Sequence, residues 1–218
     1  MTTAIIGVGH LGSALAQHLV RGNEPVVLAA EDQSHAQQVA TPLGPLATAA
    51  PVREAISQAD TVVLAVWLDS LKQVVAAHSD LLNGKVIVDP TNPLGFDENG
   101  NFLRTLPEHQ SSGSVVAGLL PPRAHYVKAF GTLSATSLAS SANRSPRRAV
   151  LFYATDDEQA AATVERLISA AGFDPVKAGG LAAAERIEMP GGDLHESGLG
   201  RLLDVDEARA AIAAERVA

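Results

Sequence analysis

An apolar strand runs directly into a glycine turn at the start of this chain: Thr3-Ala-Ile-Ile is followed by Gly7-Val-Gly-His-Leu-Gly12. No other stretch constrains the fold as strongly. Gly7 allows the sharp turn off a strand, Gly9 lets backbone approach a pyrophosphate, and Gly12 lets the next helix pack closely on the sheet. The pyrophosphate would lie at the positive end of that helix, where backbone N–H groups lack intrahelical partners. Leu11, Leu15, Leu19 and Val20 give the helix an apolar face, and Val26 to Ala30 read as the next strand, ending at Glu31. Glycines alone would suit a plain turn and cap. Strand, glycine turn, helix, strand and acid in this order match a dinucleotide-binding unit. Gly7, Val8, Gly9, His10, Leu11 and Gly12 are its expected cofactor contacts.

Length and composition narrow the classes. A chain of 218 residues with 46% hydrophobic side chains fits one globular domain, with or without an appendage. The net charge of -8 argues against a nucleic-acid partner, which needs a basic face. The one basic cluster, Arg144, Arg147 and Arg148, is short. No run reaches the ~18 apolar residues of a membrane span, so no membrane partner is expected. The first strand starts so close to Met1 that no signal peptide is expected. With no cysteine there is neither a disulfide nor a thiolate ligand, and no metal site is expected. A cytoplasmic protein fits these features.

Strand-like and helical runs alternate, which predicts an α/β fold: a Rossmann-type doubly wound, mostly parallel sheet. Residues 1–177 read as the dinucleotide-binding domain and 178–218 as a tail of loop plus helix. Further strands are expected at Thr61–Val66, Lys85–Asp89, His125–Phe130, Ala149–Ala154 and Phe173–Val176. Pro90 to Ser112 reads as the longest loop. A helix from Thr155 to Gly172 carries a capping box at Thr155 and Glu158, and the tail ends in an Ala-rich helix from about Asp206.

Four stretches carry candidate chemistry. Glu31 and Asp32 end the second strand, where a carboxylate accepts the adenosine ribose hydroxyls. No Lys or Arg lies between Arg21 and Arg53 to hold a 2′-phosphate, so charge favours NAD over NADP unless both acids are merely solvated. Val66 and Trp67 follow a buried strand, and Trp67 either shields a planar ligand or packs. Thr91 and Asn92, in Asp89-Pro-Thr-Asn-Pro93, offer hydrogen bonds to the nicotinamide or close their own turn. His195, in Gly191-Gly-Asp-Leu-His-Glu196, reads either as a general acid oriented by Asp193 or Glu196 or as part of a surface loop.

Across roughly residues 3 to 188 the chain resembles the NADP-dependent oxidoreductases of the deazaflavin coenzyme F420, within the 6-phosphogluconate-dehydrogenase-like superfamily. The reductase domain of the six-transmembrane ferric reductases is a relative. The resemblance rests on Gly7 to Gly12, on Asp89 to Leu94, on Val127-Lys-Ala-Phe-Gly-Thr-Leu133 and on Ala178 to Glu188. It implies hydride transfer between a nicotinamide and a flavin-like ring, with Gly131 and Thr132 at the site. This chain departs from the family pattern at four places. Ala29-Ala30-Glu31 replaces an Asn-Ser-Arg-like phosphate-binding stretch, Val66-Trp67 lacks an intervening proline, Gly131 replaces an asparagine, and Ala184-Glu185 replaces an Ala-Arg pair.

The expected function is therefore NAD- or NADP-dependent oxidoreduction of a small molecule, with F420 or a flavin as the second substrate. A small imine or carbonyl reductase is the alternative within that class, with His195 as proton donor. A non-catalytic dinucleotide-sensing module is the alternative outside it. The short tail leaves a substrate pocket to be completed by the long loop, by the tail itself or by a second subunit, and a homodimer is expected.

Overall fold

The computed structural model describes residues 1–214. Its elements alternate along the chain: β1 (Thr3–Ile6), α1 (His10–Arg21), β2 (Val26–Ala29), α2 (Gln33–Ala40), β3 (Ala47–Ala49), α3 (Val52–Gln58), β4 (Thr61–Leu64), α4 (Leu68–Leu82) and β5 (Val86–Asp89). The second half holds β6 (Leu94–Phe96), β7 (Phe102–Arg104), α5 (Ser112–Leu119), β8 (His125–Ala129), α6 (Ala135–Ser141), β9 (Val150–Ala154), α7 (Glu158–Ala170) and β10 (Asp174–Gly179). A 3-10 segment (Leu181–Ile187), α8 (Glu196–Leu199) and α9 (Val205–Ala213) follow. Residues 215–218 of the expected tail lie outside the described residues.

Eight strands form one sheet in the order β10-β9-β8-β5-β4-β1-β2-β3. From β3 to β8 every neighbour is parallel, the order of a dinucleotide-binding sheet. Only the β8–β9 pair is antiparallel, so β9 and β10 extend the sheet in the opposite sense. Side chains alternate between faces along each strand. Ile5, Leu28, Val63 and Val88 join one core cluster, and Ala4, Ile6, Val27, Val62 and Ile87 join the other. Among the described residues, no helix is long and apolar enough to cross a membrane.

The tail is more tightly joined to the sheet than its glycines suggest. Val150, Phe152 and Val176 of β9 and β10 share a third cluster with Ile187, Leu194, Leu203 and Ala208. β10 also runs to Gly179, two residues past the expected boundary at 177. The expected loop from Pro90 to Ser112 contains an antiparallel hairpin, β6–β7, with Phe96 opposite Phe102. The expected capping box at Thr155 is corrected: α7 begins at Glu158, and the Asp157 carboxylate accepts the Ala160 N–H at 2.9 Å. Thr155 Oγ1 instead donates to the Tyr126 carbonyl at 2.6 Å.

Candidate functional site

The chain reverses its winding between β1 and β4, and ligands of such sheets bind outside the carboxyl ends of the strands at that point. The glycine turn sits there. Gly7 takes φ +101°, and a Cβ on it would lie 2.3 Å from the Ala65 carbonyl oxygen. A Cβ on Gly12 would lie 2.0 Å from the Gly7 oxygen. These two glycines serve the fold. Gly9 differs, because a Cβ there would meet nothing within 4 Å. Gly9 is the N-cap of α1 and has no side chain to satisfy the first N–H groups, and no acid occupies the first turn. Gly9 and His10 are exposed, Leu11 is half-buried and Val8 is buried. An anion placed against Gly9 finds open donors, the favourable end of the helix dipole and no repelling carboxylate in that turn.

At the end of β2 the two acids separate. Asp32 is the N-cap of α2: its Oδ1 accepts from Ser34 N at 2.9 Å, Ser34 Oγ at 2.6 Å and His35 N at 3.4 Å. The Ser34 hydroxyl, with these N–H groups, holds its carboxyl below the usual range. Glu31 is exposed beside it.

Trp67 caps the start of α4 and is 53% exposed, so it is not a core packing residue. Its ring meets Phe96 edge-on at 5.3 Å between centroids. Val66, half-buried, lies over Gly7: its Cγ1 would be 2.7 Å from a Cβ at that position.

Thr91 and Asn92 turn inward. Thr91 N and Oγ1 both donate to Asp89 Oδ1 at 2.7 Å. Asn92 Nδ2 donates to the Gly131 carbonyl at 3.1 Å, and its Oδ1 accepts the Met189 N–H at 2.8 Å. One amide thus ties the ends of β5 and β8 to the tail. Gly131 and Thr132 lie in that wall. A Cβ on Gly131 would stand 2.4 Å from the Pro90 oxygen, so close packing accounts for glycine there. Phe130 before it is fully buried at φ 65°, a left-handed conformation rare for a bulky residue. Thr132 is 2% exposed, and its Oγ1 has no hydrogen-bond partner.

Behind this wall lies a charged cluster that motif reading did not resolve. Lys128 Nζ donates to Asp89 Oδ2 at 3.1 Å, to Ser112 Oγ at 2.7 Å and to the Thr91 carbonyl. Tyr126 donates to the same Asp89 oxygen at 2.7 Å. Burial, followed by the charge of Asp89, pushes the Tyr126 phenol well above its ordinary value, so it stays a donor. Glu188 accepts from Ser112 N at 2.9 Å and Gly113 N at 2.8 Å, the first amides of α5. Its Oε1 also lies 3.5 Å from Lys128 Nζ. The signal was a lysine and an aspartate inside otherwise apolar strands.

His195 is 4% exposed and is the N-cap of α8. Its Nδ1 accepts the Ser197 N–H at 3.0 Å, which puts the proton of the neutral ring on Nε2. The ring also contacts the Gly131 backbone. Burial lowers its pKa, against the opposing influence of Glu196. Asp193 pairs with Arg186 at 2.7 Å. Glu196 Oε2 accepts Ser134 N at 2.7 Å, pinning the tail to the loop after β8.

A family model described as NADP oxidoreductase, coenzyme F420-dependent, matches residues 2–93. Metalloreductase STEAP3 of Rattus norvegicus is 30% identical over 184 residues, 84% of this chain. The chain spans 35% of the length of that curated relative. A solved hypothetical protein of Sinorhizobium meliloti is 33% identical, with 94% of this chain and 95% of that one covered at a TM-score of 0.81. A candidate F420-dependent NADP reductase of Arthrobacter sp. FB24 shares the fold at 24% identity, with 84% of this chain and 87% of that one covered and a TM-score of 0.73. Residues 2–93 thus match the model of the coenzyme F420-dependent NADP oxidoreductases, and the chain is similar over most of its length to a solved protein of Sinorhizobium meliloti and to a metalloreductase.

Proposed function

We propose that this protein transfers a hydride between a nicotinamide dinucleotide and a flavin-like or small organic acceptor at the carboxyl edge of its sheet. The observation that carries the reading is the open face of Gly9 at a helix start without a side-chain cap. When bound, the reduced dinucleotide supplies the hydride, so the protein has to orient more than to exchange protons. The first amides of α1 would hold the pyrophosphate and Glu31 the adenosine ribose. Trp67 would border the ring end, and the wall tied by Asn92 would close the opposite side. Close packing on Pro90 accounts for the glycine at 131, where the family pattern has an asparagine.

Mixing the protein with NADH or NADPH and a panel of deazaflavin, flavin and imine acceptors tests this. Loss of reduced-nicotinamide absorbance, dependent on both enzyme and acceptor, is expected with at least one acceptor. Dinucleotide binding without oxidation by any acceptor would overturn it.

A further inference from the structure

Five phenylalanines and one tryptophan are available to this chain. Phe130, Phe152 and Phe173 are at most 2% exposed, as core residues should be. Trp67, Phe96 and Phe102 are instead 53%, 54% and 59% exposed, and they stand together. Phe96 meets Trp67 at 5.3 Å and Phe102 at 4.9 Å between ring centroids. Three clustered aromatic rings in water form an apolar patch that needs a cover.

The patch is held in place. Arg104, at the base of the hairpin, donates to the carbonyls of Leu106 at 3.1 Å, Gln110 at 2.8 Å and Pro190 at 3.3 Å. Trp67 is placed by its position at the N-cap of α4, three residues past the end of β4, the strand beside β1 and its glycine turn. The patch therefore borders the proposed dinucleotide groove.

Its charge surroundings restrict the ligand. Between residues 65 and 111 the Lys and Arg residues are Lys72, Lys85 and Arg104. Lys72 pairs with Asp69 at 2.9 Å, Lys85 donates to the Ala59 carbonyl at 2.5 Å, and Arg104 spends its donors on backbone carbonyls. The hairpin tip adds Asp97 and Glu98. The basic cluster of Arg144, Arg147 and Arg148 precedes β9, beyond β5 and β8 in the sheet.

We infer that Trp67, Phe96 and Phe102 seat the hydride acceptor, and that this acceptor is a planar aromatic ring bearing no phosphate. The inference rests on the hydride-transfer reading above. Aromatic faces hold a flat ring by stacking, and an acidic rim disfavours an anionic tail. A ring held there takes one hydride from the reduced dinucleotide and one proton from water. The products are the two-electron-reduced ring and the oxidised dinucleotide.

Trp67 is the single tryptophan, so its fluorescence reports on the seat directly. Riboflavin and FMN are titrated separately without dinucleotide, with free tryptophan correcting for their absorption. Saturable quenching by riboflavin is expected, with FMN binding several-fold weaker and the gap narrowing as salt is added. Phe96→Ala and Phe102→Ala, both at exposed positions, should each weaken riboflavin binding about tenfold. Neither should change the circular dichroism spectrum. FMN or coenzyme F420 binding more tightly than riboflavin, or full affinity in both variants, would overturn the inference. NADH and NADPH binding are measured in parallel by calorimetry. Riboflavin binding without dinucleotide binding overturns the hydride-transfer reading and leaves the seat standing, whereas dinucleotide binding without quenching overturns the seat alone.

Discussion

Lys128 and Asp89 pair at 3.1 Å with neither side chain more than 2% exposed, at the carboxyl ends of two neighbouring parallel strands. Glu188 reaches the same ammonium from the tail, so one lysine faces two carboxylates away from water. Removing one partner of a buried pair leaves uncompensated charge and costs about 3–5 kcal/mol. Lys128→Met is therefore expected to lower the melting temperature by roughly 10 °C, at the 2–4 °C per kcal/mol typical of this chain length. Thermal denaturation followed by circular dichroism checks it. A shift below about 2 °C would mean that the Asp89 and Glu188 carboxyls are satisfied without the lysine.

The glycines of the turn should respond differently to the same kind of change. Gly9 has a negative φ and open space around its Cβ position, so Gly9→Val should fold normally and lose dinucleotide binding. Gly7→Ala places a Cβ 2.3 Å from the Ala65 oxygen at φ +101°, and should lose stability instead. Melting curves with and without NADH separate the two effects. A Gly9→Val protein that binds with wild-type affinity would remove the pyrophosphate from this helix end.

Two buried histidines predict how stability depends on pH. His18 is 3% exposed and His195 is 4% exposed, and burial lowers both pKa values from 6.5. The unfolded chain therefore binds more protons than the native state once pH falls below 6.5, and stability falls as pH is lowered through that window. Each ring contributes a slope of up to about 1.4 kcal/mol per pH unit. Carboxylates with lowered pKa values, such as Asp157 and Asp204, lose their contribution only at lower pH, below their ordinary range. His18→Gln with His195→Asn keeps a donor for the Leu138 carbonyl and an acceptor for the α8 cap. Melting temperatures of that double variant should be nearly flat from pH 6.5 down to about 5, while the parent's decline. A parent curve already flat there would mean the rings protonate without cost.

How far the sequence exposes this site follows from the range of each interaction. The glycine turn is legible because strand, turn and helix are contiguous, and the mostly parallel sheet is legible in the alternation of strands and helices. Asn92 was readable as a polar residue at a strand end, but its partners, Gly131 and Met189, lie 39 and 97 residues away. Glu188 likewise caps α5 from 76 residues downstream. Period-two patterning says which strand face is buried and nothing about which charges meet. The hairpin was hidden because Phe96 and Phe102 flank a turn rich in Asp, Asn and Gly that reads as loop.

Cofactor choice sets local charge against family habit. The family description names NADP, yet the end of β2 presents an exposed glutamate. A 2′-phosphate carries nearly two negative charges, and Glu31 would stand beside it with no Lys or Arg between Arg21 and Arg53. Asp32 and Ser34 are occupied with each other in the α2 cap, so the argument rests on Glu31 alone. Charge repulsion plus the lost carboxylate–ribose hydrogen bonds come to about 1–2 kcal/mol in a solvent-screened site. NADH is therefore expected to bind roughly tenfold tighter than NADPH, a gap that narrows with added salt. Glu31→Arg should reverse the preference by supplying the missing cation, while Asp32→Asn, which keeps the helix cap, should leave it unchanged. Dissociation constants for both cofactors on the three proteins decide the matter. Tighter NADPH binding to the parent would show that Glu31 turns away from the ribose and that the family habit outweighs the local charge.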